Sequence, residues 1–244
     1  IFVIGLNKYI NIIFMFNKIL NKLILHFTNP IWAIKFDMRV CSFYYGKFVM
    51  KYFYNVEIDE EKSYFEPDYC DLYNLFRIII KYNPKKCIEV GSGYSTLIIV
   101  KALNINYRKD NIKPKLISLE QDKKYLEIHK EYLAKVLSKE EFELIKFLFT
   151  DLTIETLYNQ KVNICTNFPN EEFDFFYEDR TDDKNYRIAG DALKIEEQMS
   201  QNYIICVDGM LETVDFYKKE LKREYSYSGG FIHGSTWIPK TIKR

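Results

Sequence analysis

Residues 87–96 read Cys87-Ile88-Glu89-Val90-Gly91-Ser92-Gly93-Tyr94-Ser95-Thr96. The first four make a short buried strand. Gly91 and Gly93 give a turn with no Cβ in the way, and Ser95 onward opens an apolar helix. A strand, a glycine turn and a helix N-terminus together form a small-molecule cradle. Backbone can approach a ligand closely there, and unpaired N–H groups at the positive helix end face it.

Outward from this stretch the chain alternates strand and helix. The patterns predict strands at 86–90, 115–119, 143–149, 173–177 and 203–207. Helices are predicted near 95–103, 123–137, 154–158, 184–198 and 211–222. Alternation of this kind predicts a parallel sheet with helices on both faces. The end differs: Glu224–Tyr227, the turn Ser228-Gly229-Gly230, and Phe231–Ile238 read as a hairpin. The expected fold class is therefore α/β: a doubly wound, mostly parallel, Rossmann-like sheet ending in an antiparallel hairpin, with an N-terminal helical extension. Residues 1–55 are expected to form that helical, aromatic-rich extension, and residues 56–244 the ligand-binding domain.

Composition narrows the class. With 244 residues, 48% hydrophobic and 28% charged, the chain suits one domain or one domain with an extension. A net charge of +1 gives no global pull toward nucleic acid. Five cysteines, at 41, 70, 87, 165 and 206, include no Cys-x-x-Cys pair. They read as reduced core thiols of a cytoplasmic protein. Three histidines, none spaced with cysteine, argue against zinc. Residues 1–36 carry Lys8, Lys18, Lys22 and Lys35 and no acid. No run there approaches the roughly 20 apolar residues of a membrane span. An amphipathic helix in this stretch either makes peripheral membrane contact or packs on its own domain or on a second copy.

In a doubly wound sheet, ligands bind outside the carboxyl ends of the strands. Acids stand at each expected strand end: Glu89, Glu120, Asp151, Glu178-Asp179 and Asp208. Glu120, 29 positions after Gly91, can accept both hydroxyls of a ribose. Asp151 can accept from an adenine amino group, and Glu89 can hold a cationic amino group. Asp179 and Asp208 lie beyond the nucleoside, toward the reacting centre. Each of these acids also reads, more simply, as a solvated or capping carboxylate.

The string EVGSGYST, with Glu120 closing the second strand and a terminal hairpin, resembles the class I S-adenosylmethionine-dependent methyltransferases over roughly residues 66–244. Glu89-x-Gly91-x-Gly93 is similar to that family's first motif, with Ser95 where many members have a third glycine. The resemblance implies S-adenosylmethionine as cofactor, held by Glu89, Gly91, Ser92, Gly93, Tyr94, Ser95, Glu120 and Asp151. Residues 173–179 resemble the fourth-strand segment of small-molecule O-methyltransferases. The implied reaction is in-line methyl transfer to a hydroxyl of a small molecule or glycan. Asp179, Asp208 and His233 are the candidate general bases. Some relatives hold a divalent metal on an Asp after strand four and an Asp-Asn pair after strand five. Asp179 and Asp208 match two of those positions, but Gly209 replaces the Asn, so a divalent metal is an alternative that the sequence does not favour. Residues 43–54, Arg180–Arg187 and Gly230–Trp237 are expected to wall the acceptor pocket, with Arg180 and Arg187 placed to hold an anionic acceptor.

Two rival readings remain. A nicotinamide-dependent oxidoreductase needs Gly or Ala five positions after Gly91, where this chain has Thr96. A catalytically degenerate methyltransferase fold can instead serve as a membrane-associated or partner-binding subunit. Nothing in the sequence resembles base-reading machinery, so a nucleic-acid partner is not expected.

Overall fold

The strand read from residues 86–90 is present with those bounds, and it lies in the middle of the sheet. A computed structural model describes residues 43–56, 58, 67–180, 188–229 and 235–240. The basic stretch 1–36, Arg187 and His233 lie outside the described residues. The chain divides into two units, one ending at Tyr73 and the next beginning at Asn74.

In the first unit, residues 43–54 form helix α1. Gly46 lets α1 approach the start of α2 (Tyr69–Tyr82): a Cβ there would stand 2.7 Å from the Tyr69 carbonyl oxygen and 2.8 Å from Tyr73 Cβ. Edge-to-face pairs of Phe43 with Tyr69 and Tyr45 with Tyr73 fill the same approach. Helix α2 ends at Asn83, which takes the left-handed conformation at φ 51° and donates its N–H to Ile79, with Pro84 following.

The second unit holds β1 (Lys86–Val90), α3 (Tyr94–Asp110), β2 (Lys115–Glu120), α4 (Lys123–Val136), α5 (Lys139–Phe142) and β3 (Ile145–Phe149). There follow β4 (Leu152–Leu157), β5 (Gln160–Cys165), β6 (Phe173–Glu178), α6 (Asp191–Ile195), β7 (Met199–Val207), α7 (Leu211–Glu220), β8 (Tyr225–Gly229) and β9 (Ser235–Pro239). Seven strands pair in the order β3-β2-β1-β6-β7-β9-β8. The first five are mutually parallel, and β9 joins antiparallel to β7 and to β8. The chain moves outward one way through β2 and β3 and the other way through β6 and β7. Right-handed crossovers then put α3 and α4 on one face and α6 on the other. The described residues thus form the expected doubly wound sheet with its antiparallel terminal hairpin.

The two faces of the sheet differ in chemistry. One carries Ile88, Val90, Ile117, Leu119, Phe176 and Ile205, packed with Tyr217 and Trp237 into the main apolar core. On the other, the register aligns Ser118, Glu89, Tyr177, Cys206 and Thr236 across five strands. Side chains alternate along a strand, so this row lies on the face opposite Ile88 and Ile117, one step toward the carboxyl ends from the apolar Cys87, Leu116, Phe175 and Ile204.

Three expectations are corrected. Residues 154–158 form no helix. They belong to β4, which pairs antiparallel with β5 in a separate two-stranded sheet. Thr153, Ile154 and Thr156 suit a pleated strand, and Tyr158 and Asn159 take φ 49° and 64°, the two left-handed residues of a two-residue hairpin turn. The expected helix 184–198 is described only as α6 and a 3-10 turn at Glu196–Gln198, because Gly190 starts the helix late. Finally, α5 was not foreseen, although Ser138 and Glu141 make a reciprocal capping box.

Candidate functional site

The carboxyl ends of the parallel strands are joined by backbone. Gly91 N–H donates to Leu119, Asp179 N–H to Val90, Asp208 N–H to Glu178 and Thr150 N–H to Glu120. These bonds bring Glu89, Glu120, Asp179 and Asp208 to one edge of the sheet.

Gly91 and Gly93 hold that edge in different ways. Gly91 has φ 94°, and a Cβ on it would lie 1.8 Å from the Asp179 carbonyl oxygen. Both its conformation and its surroundings require glycine. Gly93 is fully extended and precedes α3. A Cβ on Gly93 would meet only Ser95 Oγ at 3.9 Å and Tyr125 Oη at 4.0 Å. Among the described residues, a Cβ on Gly93 would thus make ordinary contacts and clash with nothing.

Glu89 is fully buried in the centre of the sheet. Its Oε1 accepts from Ser118 Oγ at 2.7 Å and from Thr96 Oγ1. Thr96 Oγ1 also receives the Gly93 N–H at 3.1 Å, so one threonine joins the strand acid to the helix cap. Ser92 Oγ lies 2.7 Å from Ser118 Oγ and completes the hydroxyl cluster. Glu89 Oε2 has no partner, and among the described residues no cation pairs with this carboxylate. Burial pushes Glu89 up from 4.5 to about 8, against the pull of the hydroxyls.

Glu120 is buried at the end of β2. Its Oε2 accepts from Ser92 N–H at 2.9 Å, and its Oε1 from Gln121 and Asp122 N–H at 2.8 and 2.9 Å. The carboxylate is locked over the glycine turn with lone pairs still available. Tyr94 and Ser95 begin α3 beside it. Asp151 follows β3, is exposed, and precedes the β4–β5 hairpin.

Asp179 and Asp208 form a second acidic group. Tyr177 Oη lies 3.5 Å from Asp179 Oδ2 and 3.3 Å from Asp208 Oδ2. Crowding by protein and the neighbouring Asp208 carboxylate hold Asp179 above the ordinary carboxylate range. Asp179 nevertheless keeps open surface, as a group in a concave site does. Such a carboxyl is suited to exchange protons near neutrality. Among the described residues, no group of three or more His, Cys, Asp or Glu side chains is placed to hold a metal ion.

Arg180 does not face this site, contrary to expectation. Its side chain is buried, with Nη1 3.0 Å from Asp191 Oδ2, Nη2 3.7 Å from Glu178 Oε1, and Nη2 donating to the Asn163 carbonyl at 2.7 Å. Two buried carboxylates claim it, because neither is stable there without a cation. Glu178 also accepts from Tyr217 Oη at 2.7 Å, and burial raises it well above 4.5. A cavity of about 320 Å³ lies at the opposite, amino end of the strands, lined by Lys85, Lys86, Glu172, Asp174, Ser200 and Asn202 among others. It is remote from the acids above.

No protein-family model matches the sequence, and no curated protein matches it either. Among solved structures, a SAH-bound methyltransferase from Podospora anserina aligns at 16% identity and TM-score 0.49, over 82% of this chain and 86% of that one. An O-methyltransferase from Bacillus cereus in complex with SAH aligns at 13% identity and TM-score 0.47, over 83% and 100%. A methyltransferase from Geobacter sulfurreducens aligns at 8% identity and TM-score 0.46, over 81% and 88%. The fold described above rests on this chain's own strand pairing: a doubly wound parallel sheet closed at one edge by an antiparallel hairpin.

Proposed function

We propose that the protein is an S-adenosylmethionine-dependent methyltransferase acting on a hydroxyl of a small molecule or glycan. The observation that carries this reading is Glu89 Oε2: a buried carboxylate oxygen with no partner among the described residues, on the strand that runs into the glycine turn. Without a ligand this carboxyl keeps its proton near neutral pH, and a cationic ligand beside it would let it ionise. Pyrophosphate, the core of a dinucleotide, fits poorly against that charge. Thr96, engaged by Glu89 and Gly93, also fills the position where a dinucleotide fold needs Gly or Ala.

In this reading Glu89 takes the ammonium of the amino-acid end. Glu120 accepts from the ribose hydroxyls, with Gly91, Ser92, Gly93, Tyr94 and Ser95 forming the floor. Asp151, at the rim, accepts from the adenine amino group. When bound, the cofactor supplies a methyl group already activated on a sulfonium. The chain's own task is then to position the acceptor and remove its proton. Asp179 and Asp208 serve as proton acceptor and partner, steered by Tyr177. His233, outside the described residues, remains a candidate for the same role. The Asp179–Asp208 pair is also the place a divalent cation would occupy, with two oxygen ligands from the chain.

Calorimetry with S-adenosylmethionine and S-adenosylhomocysteine tests the reading. Saturable binding at micromolar ligand is expected. No heat at millimolar ligand overturns it.

A further inference from the structure

Tyr125 has no role in the assignments above, yet its hydroxyl stands at the centre of the cradle. Asp122 caps α4 and accepts the Tyr125 N–H at 3.0 Å, which fixes the first turn of that helix. The Tyr125 ring stacks on His129 with centroids 5.7 Å apart and planes 6° apart. His129 is buried, hydrogen-bonded to the Gly93 backbone, and stacked in turn on Tyr132 at 6.0 Å. Burial holds His129 down to about 4, so this support is neutral near neutral pH. The phenol is therefore held in one orientation over the glycine turn. Its oxygen lies 4.0 Å from the place a Cβ on Gly93 would take.

Among the described residues, the charged groups that act most on that oxygen are acids. Glu120, Asp179 and Glu89, from the ends of β2, β6 and β1, each act on it. An amino-acid ligand brings a carboxylate as well as an ammonium. Glu89 Oε2 suits the ammonium, but the three acids repel the carboxylate. That group needs neutral donors, and two kinds lie together here: the first-turn N–H groups of α3 and the Tyr125 hydroxyl.

We propose that Tyr125 is a further ligand-binding residue, donating its hydroxyl hydrogen to the carboxylate of the amino-acid end of S-adenosylmethionine at the start of α3. It thereby selects for ligands that carry that carboxylate. The inference rests on the cofactor reading above. Burial and the neighbouring acids push the Tyr125 phenol up to about 12, which keeps the proton in place at physiological pH.

The test is calorimetry on wild type and Tyr125→Phe with two probes: S-adenosylhomocysteine, and 5′-methylthioadenosine, which lacks the amino-acid end. Phenylalanine keeps the ring stacked on His129. The expected result is a loss on the order of tenfold for S-adenosylhomocysteine, with unchanged affinity for 5′-methylthioadenosine. An unchanged affinity for S-adenosylhomocysteine, or an equal loss for both probes, overturns the proposal. Wild type that binds neither probe overturns the cofactor reading itself.

Discussion

Glu89 and Glu178 are both fully buried, sit on adjacent strands one residue out of register, and are both raised by burial. They differ in what answers the charge. Glu178 faces the apolar core and has Arg180, Tyr217 and the Asp191 network around it. Glu89 faces the polar row and has hydroxyls only. A buried carboxylate that brings its own cation is part of the fold. One that lacks a cation keeps its proton instead, and under the proposed function it ionises when a cationic ligand arrives.

The largest expected effect lies on the Glu178 side. Arg180→Ala leaves Glu178 and Asp191 buried without their cation, and should cost about 3–5 kcal/mol in denaturant unfolding at pH 7. A loss under about 1 kcal/mol would mean that the two acids share a proton and need no arginine. On the Glu89 side, the glycines should separate folding from binding. Gly91→Ala adds strain of about 1–3 kcal/mol to a backbone clash and should lower the thermal midpoint sharply. Gly93→Leu should leave that midpoint within a few degrees and weaken S-adenosylhomocysteine binding at least about tenfold. Normal binding by Gly93→Leu would mean that the ligand does not occupy the space above this residue.

Glu89→Gln breaks the comparison most directly. The variant should keep its stability near neutral pH, because glutamine is uncharged as the protonated carboxyl is, and lose about tenfold or more in affinity for a cationic ligand. Loss of folding would make Glu89 structural, like Glu178. The smallest effect is on pH dependence. With Glu89 raised from 4.5 to about 8, its proton stabilises the folded state fully below about pH 4.5, and that contribution is lost as pH rises through about 8. The ligand-free protein should therefore lose stability across this window, and Glu89→Gln should flatten the fall. Affinity for a cationic ligand should rise over the same window as Glu89 ionises.

Local signals made much of this legible in the sequence. Strand, glycine turn and helix lie within ten residues at 87–96, and short-range pattern suffices to read them. The alternation that followed was enough for the sheet class. The β4–β5 hairpin was missed because Ile154, Leu157 and Tyr158 also fit helical spacing. Asn159 suits a left-handed turn position, but Tyr158 does not announce one, and only the fold shows that both take positive φ. Arg180 was misread for a different reason. Its position after a strand end suggests a ligand contact, but its partners Asn163 and Asp191 are 17 and 11 positions away, and only the fold brings them together. Tyr125 was overlooked as one aromatic among 39 Tyr and Phe, although the cap at Asp122 and its place just after Glu120 were visible.

Asn163 on β5 has a consequence for how this protein can change. Its carbonyl accepts from Arg180 and from Gly190 N–H, and its own N–H donates to Ile188. All three bonds use main-chain atoms of Asn163, so they do not depend on which side chain stands there. Any residue but proline at position 163 keeps the N–H that Ile188 accepts. The tie between β5, the Arg180 guanidinium and the start of α6 is thus written in backbone, and mutation at this position reaches it only through packing.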